Sequence, residues 1–285
     1  TGLGSGALYG AGGSGTVMEN NTAVGYRSLY TNTTGAFNTG IGLCSIYTNT
    51  TGGCNTALGN DSLRANTTGS ENTTVGSASM LGNTTGANHT AVGRHSLRCN
   101  TTSSDNTAVG RCAAYTNTTG SCLVAMGNNA LRFNTTANAN VAIGRDAMCA
   151  NTTGANGVAV GYGALCKNTT GASNTAIGTD ALTANTTGTG NTAVGLQALC
   201  TNTTGSYNAA LGREALKVST TGFEQVALGN GALIKNTTGA CNIAIGSNAG
   251  GNITTGTNNI AIGRNSGTDA VGDLVTSTNF IILGN

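Results

Sequence analysis

The stretch Asn191-Thr-Ala-Val-Gly-Leu-Gln-Ala-Leu-Cys-Thr-Asn-Thr-Thr-Gly-Ser-Tyr207 is one copy of the repeat that decides the fold. Numbered as positions 1 to 17, this repeat runs from Asn21 to Asn258 in 14 copies without an insertion or a deletion. The fifth position is Gly in every copy, and the fourth is always apolar. A fixed short period of this kind is typical of coils stacked along an axis, each packed only against its neighbours.

The repeat also defines the organisation of the chain. Residues 1–20 form one irregular first coil with extra residues around 17–20, residues 21–258 form the regular coils, and residues 259–285 form a longer terminal coil and an exit strand. The terminal coil is lengthened through residues 269–273. We predict one continuous elongated domain, and we expect it to be part of a longer or processed polypeptide because the chain begins inside a degenerate copy.

Composition limits the classes of partner. Charged residues make up 8% of the chain and the net charge is +2, so we expect no nucleic acid or anionic membrane partner. No apolar run approaches the roughly 18 residues of a spanning helix, so we expect no membrane insertion. The 46 Gly resemble a disordered segment, but a disordered chain has no reason to keep apolar columns. Nine Cys without metal-type spacing predict an oxidising, extracellular setting.

Residue types within a copy predict β-structure. Positions 1 to 5 read as a short strand, positions 8 and 9 as the start of a second extended piece, and Asn-Thr-Thr-Gly at positions 12 to 15 as a turn. In the regular copies every charged residue falls at position 6, 7, 10, 11 or 17. The strand therefore has one face of Thr, Val, Ile and Leu and one face of Ala and Gly, with no polar face for solvent. One face can line the coil interior, and the other needs a partner. We predict a homotrimer with this strand nearest its axis.

Two of the strands carry a family resemblance. Asn242-Ile-Ala-Ile-Gly246 and Asn140-Val-Ala-Ile-Gly144 resemble the head repeats of trimeric autotransporter adhesins, whose motif also centres on a Val-Ala-Ile-Gly strand. The longer period is similar to repeats in tail-fibre-like surface proteins of phages and bacteria. The resemblance implies a left-handed parallel β-roll, three chains wide, that acts as a shaft or an adhesive head. The predicted fold is therefore all-β: a parallel β-solenoid of 17-residue coils, left-handed and trimeric.

The Asn-Thr-Thr triplet of the turn has two interpretations. It is an N-glycosylation sequon that would carry sugar along the stack, or it is a ladder of Asn and Thr that bond from coil to coil. Twelve copies contain the sequon: Asn32, Asn49, Asn66, Asn83, Asn100, Asn117, Asn134, Asn151, Asn168, Asn185, Asn202 and Asn236. The low charge of the surface favours a glycan sheath as the source of solubility, and we predict that many of these residues are modified.

Cysteines recur in pairs. Cys44 and Cys54 occupy positions 7 and 17 of one coil, and Cys112 and Cys122 occupy the same positions four coils later. The two positions are separated by a full strand, which exceeds the reach of a disulfide, so we predict bonds between neighbouring chains of the trimer. Cys149 and Cys166 stack one coil apart and are a third, strained candidate pair, whereas Cys200 should be free.

No constellation of side chains predicts catalysis. His89 and His95 occur in one coil, no carboxylate or Cys set recurs with them, and surface or interface positions explain them better than a metal site. We expect no enzyme activity, metal or cofactor. The leading hypothesis is a structural or adhesive extracellular fibre segment at a cell or virion surface. The alternative is a receptor- or glycan-binding head of a phage or bacterial tail fibre that meets a host-surface receptor, and ice binding is a remote third.

Overall fold

The computed structural model describes residues 1–10, 19–268 and 275–284. The chain divides into two compact units, Thr1–Asn140 and Val141–Asn285. The lengthening predicted at residues 269–273 lies outside the described residues, and so does part of the one predicted at residues 17–20. The described residues contain strands and turns and no helix.

The first unit contains eight short parallel strands. They are β1 (Gly2–Leu3), β2 (Thr22–Val24), β3 (Thr39–Ile41), β4 (Thr56–Leu58), β5 (Thr73–Val75), β6 (Thr90–Val92), β7 (Thr107–Val109) and β8 (Val124–Met126). Each pairs with its neighbours in register, so that Thr39 of β3 faces Thr56 of β4. The degenerate first copy follows the same register, because Leu3 of β1 pairs with Val24 of β2.

The second unit repeats this arrangement with nine strands. They are β9 (Val141–Ile143), β10 (Val158–Val160), β11 (Thr175–Ile177), β12 (Thr192–Val194), β13 (Ala209–Leu211), β14 (Val226–Leu228), β15 (Ile243–Ile245), β16 (Ile260–Ile262) and β17 (Ile281–Leu283). All the pairings are parallel, and the predicted exit strand is confirmed as β17, which pairs with β16. Strands that recur every 17 residues and pair in parallel confirm the β-solenoid fold in each unit.

Within each strand of the regular coils, the small side chain at position 3 points into the coil, and the larger side chains at positions 2 and 4 point outward. The middle residue of each strand, at position 3, is Ala in most coils and is fully buried, as in Ala176 and Ala193. In the described residues, position 9 supplies the large apolar side chain that regularly fills the interior, as in Leu182 and Leu199. Position 8 completes the interior with Ser in the early coils and Ala in the later ones.

The second extended piece predicted at positions 8 and 9 is wrong. Positions 7 and 9 have left-handed backbones, with φ of 54° at Asp180 and 53° at Leu182, so the chain turns twice instead of extending. A third left-handed residue lies at position 17, where Ser173 has φ of 57°. This conformation is uncommon for residues other than glycine, and hydrogen bonds to the next coil hold it in place, such as Leu182 N–H to Ala198 O at 2.9 Å.

The glycine at position 5 is required by both conformation and space. Gly178 has φ of 131°, a region that side chains disfavour. A Cβ atom on Gly178 would also lie 2.6 Å from the carbonyl oxygen of Gly195 in the next coil. The same close approach recurs along the stack, which explains why no copy has another residue at this position.

Candidate functional site

The outward face of the strands is the candidate functional surface. Strand positions 2 and 4 point away from the coil interior, and their side chains are Thr, Val, Ile, Leu or Met, with Ala209 as an exception. Ile177 is 41% exposed and Leu228 is 45% exposed, although both are large and apolar. No Lys, Arg, Asp or Glu occurs at these positions. We call this surface the strand face.

The strand face is comparable in area to the largest apolar patches of typical soluble proteins, although position 2 contributes threonines in β2 to β7. In the first unit it is three residues wide and eight strands long, which gives about 10 Å by about 38 Å, or roughly 400 Å², from ordinary strand dimensions. Apolar patches of this size on soluble proteins are often functional. Position 6 beside it is polar or charged in many coils, as in Arg94 and Arg145. An uncharged centre with a polar rim is the usual composition of a protein interface.

A column of asparagines at position 12 lies inside the coil. Asn66 Nδ2 donates to Asn49 Oδ1 of the preceding coil at 2.9 Å and to the Gly69 carbonyl of its own turn at 2.8 Å. Ten of the sequon asparagines donate Nδ2 to the carbonyl at position 15: Asn32, Asn49, Asn66, Asn83, Asn117, Asn134, Asn151, Asn168, Asn185 and Asn202. Asn100 donates to Asn83 Oδ1 at 2.9 Å. The ladder interpretation of the turn triplet is therefore confirmed for these residues.

The same geometry contradicts a glycan on these amides in the folded coil. All twelve sequon asparagines, Asn236 included, are 0% exposed. A sugar on Nδ2 would need space that the neighbouring coils occupy, and it would replace a proton that the amide donates. The predicted glycan sheath is thus corrected: solvent meets the threonines at positions 13 and 14 instead, where Thr67 Oγ1 donates to the Thr84 carbonyl of the next coil at 3.0 Å.

A second asparagine ladder runs at position 1. Asn55 Oδ1 accepts the backbone N–H of Asn72 at 3.1 Å and Asn72 Nδ2 at 3.0 Å. Asn55 Nδ2 also donates to the Gly69 carbonyl at 2.9 Å, so that carbonyl receives one bond from each ladder. Sequence reasoning missed this ladder, although its signal was present: Asn occupies position 1 in ten of the 14 copies.

The two histidines have different environments. His89 replaces Asn in the position-1 ladder, is 1% exposed, and contacts the Ser103 carbonyl through Nε2 at 2.8 Å. Its Nδ1 accepts the Asn106 backbone N–H at 3.2 Å, so the neutral imidazole with hydrogen on Nε2 fits this site. Burial lowers the pKa of His89. His95 lies at position 7, and partial burial followed by the charges of Arg94, Arg98 and Arg111 lowers its pKa as well.

The predicted cysteine pairs are not bonded within the chain. Cys44 and Cys112 at position 7 are buried, and Cys54 and Cys122 at position 17 are exposed. Cys166 carries a free thiol, so the proposed bond to Cys149 is absent. Burial, with Asp146 second, raises the pKa of the Cys166 thiol, which keeps it protonated and weakly reactive. The predicted bonds between chains stay predictions.

Metal-binding clusters and membrane-spanning helices are both absent from the described part of the chain. No group of three or more His, Cys, Asp or Glu side chains in residues 1–10, 19–268 and 275–284 is arranged to hold a metal ion. The same ranges also contain no helix that is long and apolar enough to cross a membrane.

Fold and surface together define a class: a parallel β-solenoid repeat protein with interior asparagine ladders and an uncharged, apolar strand face. No protein-family model matches the chain. Comparison with curated proteins and with solved structures also finds no match.

Proposed function

We propose that this chain is a structural segment of an extracellular fibre, displayed at a cell or virion surface, that acts through assembly and display and has no enzyme activity. The observation that carries the proposal is the strand face. Each coil leaves one large apolar side chain at position 4 in contact with solvent, as in Ile143, Ile177 and Leu211, which are 38%, 41% and 40% exposed. Burying such a surface provides the free energy for association.

The partner on this face is a second and a third copy of the same chain. The face is uncharged, and its side chains repeat at every coil. A partner that covers the strand face must have the same spacing between its contact residues, and another copy of this chain has that spacing. Roughly 400 Å² in one unit is half of the area that each partner buries in a standard interface, so the coils of both units must contribute. The resemblance to trimeric adhesin heads and to tail fibres supports a left-handed homotrimer over other symmetries.

Light scattering of the purified 285-residue chain tests this assembly. We expect a mass of about 84 kDa, which is three times 27.9 kDa. Ile177→Lys combined with Val194→Lys places two charges on the strand face and should dissociate the trimer, because buried unpaired charges are costly. Thr179→Lys combined with Leu196→Lys places the same charges at position 6 of the same coils and should leave the mass unchanged. A mass of 27.9 kDa for the unmodified chain at micromolar concentration would overturn the proposal.

A second candidate function uses the same surface. In β2 to β7 position 2 is an unbroken column of threonines, Thr22, Thr39, Thr56, Thr73, Thr90 and Thr107, beside the apolar column of position 4. A regular array of hydroxyl and methyl groups on a sheet is suited to ordering water, so this column supports the remote third role, ice binding. A thermal-hysteresis assay on the unmodified chain and on the Ile177→Lys, Val194→Lys variant separates assembly from ice binding. A trimer covers the strand face, whereas a monomer leaves it open to ice. Hysteresis by the unmodified chain, together with a monomeric mass, would favour ice binding.

A further inference from the structure

Three arginines lie together on the turn that follows the strand. Arg94 at position 6 and Arg98 at position 10 belong to one coil, and Arg111 at position 6 belongs to the next. The two coils are joined by the backbone hydrogen bond from Cys112 N–H to the Arg94 carbonyl at 3.1 Å. Arg94 and Arg111 are exposed, and Arg98 is half-buried. Neighbouring coils are spaced by about 4.8 Å, so these guanidinium groups form one compact cationic patch.

These arginines lack the acidic partners that four other cations in the described residues have. Arg64 pairs with Asp61 at 3.5 Å, Arg145 with Asp146 at 3.2 Å, and Lys217 with Glu214 at 3.0 Å. Within the described ranges no carboxylate forms an ion pair with Arg94, Arg98 or Arg111. The acid in the first of these coils, Asp105, lies at position 17 and accepts a hydrogen bond from Asn88 at 3.2 Å.

His95 belongs to the same cluster of side chains. It lies at position 7 between Arg94 and Arg98, and its ring contacts Tyr115 edge-on with 5.9 Å between ring centroids. After partial burial, the charges of Arg94, Arg98 and Arg111 are the causes that lower the pKa of His95, and no carboxylate opposes them. Like charges held this close repel, so an anion that binds among them is stabilised by all three.

The patch fits sulfate groups on sugars better than a nucleic acid. Single-stranded nucleic acids are bound by cationic surfaces that also offer aromatic faces for stacking bases. Here the guanidinium of Arg98 covers the Tyr115 ring at 5.6 Å, and Arg98 Nη1 donates to the Tyr115 hydroxyl at 2.7 Å. The nearest aromatic face is therefore occupied, whereas guanidinium donors remain available to tetrahedral anions.

We propose that Arg94, Arg98, Arg111 and His95 form a binding site for a linear sulfated polysaccharide. The site goes beyond the structural role, because it lies at positions 6 to 10 and does not use the strand face. It is present in each chain whether or not the chains assemble. If it binds as proposed, the fibre segment also recognises its surroundings.

Calorimetry with a short heparin oligosaccharide tests the site without the effect of multivalent binding. The variant Arg94→Ser, Arg98→Leu, Arg111→Asn uses residues that neighbouring coils have at the same positions, namely Ser77, Leu81 and Asn128. We expect this variant to lose affinity by about tenfold or more at low salt, because the charges are the binding groups. The control Arg213→Asn uses the residue of the next coil, Asn230, and removes an arginine near Glu214; it should change affinity by less than about twofold.

The histidines provide a second readout, because the chain has only two. Bound oligosaccharide should raise the pKa of His95 in a nuclear magnetic resonance titration and leave His89, inside the ladder, unchanged. No binding at millimolar oligosaccharide, or equal binding by the triple variant, would overturn the proposal. Tighter binding of oligothymidine than of the oligosaccharide would overturn it in favour of a nucleic acid. The light-scattering mass of the triple variant should equal that of the unmodified chain, which separates this site from the assembly.

Discussion

At the scale of single residues, the narrowness of the coil decides which side chains point inward. The side chain at position 3 lies against position 8, and Thr74 fits there only with its hydroxyl 2.7 Å from Ser62 Oγ. A Cβ on Gly40 would lie 2.6 Å from Ser28 Oγ. Val or Ile at position 3 would overfill this space, so the larger side chains point outward. The alternation of residues in the sequence predicted two faces of the strand but could not say which one points inward. Hydrophobicity alone would place the face of Val, Ile and Leu inside the coil, which is the opposite of the observed orientation.

Ala142→Arg should therefore be far more damaging than Arg145→Ala. Ala142 is 0% exposed inside the coil, where an arginine would be overpacked and its charge unpaired. The side chain of Arg145 is 66% exposed, and its pair with Asp146 is a surface pair. We expect Arg145→Ala to change the free energy of unfolding by less than about 0.5 kcal/mol. Thermal unfolding followed by circular dichroism measures both, and similar melting temperatures for the two variants would contradict the interior position of Ala142.

His89 should make the stability depend on pH. Its folded pKa is lowered below the ordinary value of 6.5, so the unfolded chain binds a proton first as the pH falls. The free energy of unfolding should therefore decrease as the pH drops below about 6.5, since protonation favours the unfolded state. The backbone hydrogen bonds with Ser103 and Asn106, and then the charge of Asp105, oppose this lowering of the pKa only in part. His89→Asn restores the ladder residue, and the unmodified chain should lose more stability than this variant between about pH 7 and about pH 5. If the free energies of unfolding of the two proteins, measured by chemical denaturation, change with pH in parallel, His89 does not have this effect. The carboxylates and His95 are present in both proteins, so their contributions cancel in the comparison.

At the scale of the repeated element, the two asparagine ladders add buried hydrogen bonds to the apolar core of Ala and Leu. Their bonds run from each coil to the next, as in Asn185 Nδ2 to Asn168 Oδ1 at 2.7 Å. Two consecutive coils interrupt the two ladders, one ladder in each coil. Ser219 replaces Asn at position 12 and Gln225 replaces Asn at position 1. Asn202 Oδ1 and both amide atoms of Asn236 are then buried without a hydrogen-bond partner.

Ser219→Asn together with Gln225→Asn should repair this interruption. The side-chain amide that Ser219→Asn introduces can donate to Asn202 Oδ1 and accept from Asn236 Nδ2, and satisfying buried polar groups contributes about 1–3 kcal/mol. Gln225 Nε2 lies 3.4 Å from Ser219 Oγ and fills the space that an asparagine needs, so Ser219→Asn alone should stabilise less or destabilise. Denaturant titration of both single variants and the double variant forms a double-mutant cycle. If the changes in the free energy of unfolding of the two single variants add up to that of the double variant, positions 219 and 225 do not compete for the same interior space.

At the scale of the whole molecule, the ladders change the expected surface chemistry. Because the sequon amides are buried, we expect intact-mass measurement of these 285 residues, produced in a host that glycosylates such sequons, to find the polypeptide mass of 27.9 kDa, free of hexose additions. A series of hexose-sized increments that glycosidase removes would contradict this. Non-reducing gels of the same sample test the predicted Cys44–Cys54 and Cys112–Cys122 bonds between chains: covalent dimers or trimers are expected if the bonds form, and monomer alone excludes them.

The sequence predicted the solenoid, its 17-residue period, its strand at each copy and its exit strand, because a strict repeat leaves few ways to pair strands. It did not predict the three left-handed residues of each coil. Asp180, Leu182 and Ser173 are not residue types that share a preference for this conformation, which is imposed by hydrogen bonds between coils. The burial of the sequon was likewise undecided, since Asn suits both a solvated turn and an interior ladder.

The ladder bonds from each coil to the next have a consequence at the level of the gene. Seventeen codons are fifty-one nucleotides, so unequal crossing-over or replication slippage by one repeat preserves both the reading frame and every hydrogen bond between coils. Any smaller in-frame change shifts Asn, Gly and Leu out of their columns and is removed by selection. Copy number is therefore the quantity that such a gene varies most easily, and populations carrying it should differ in the number of whole repeats more than in the residues that form the ladders.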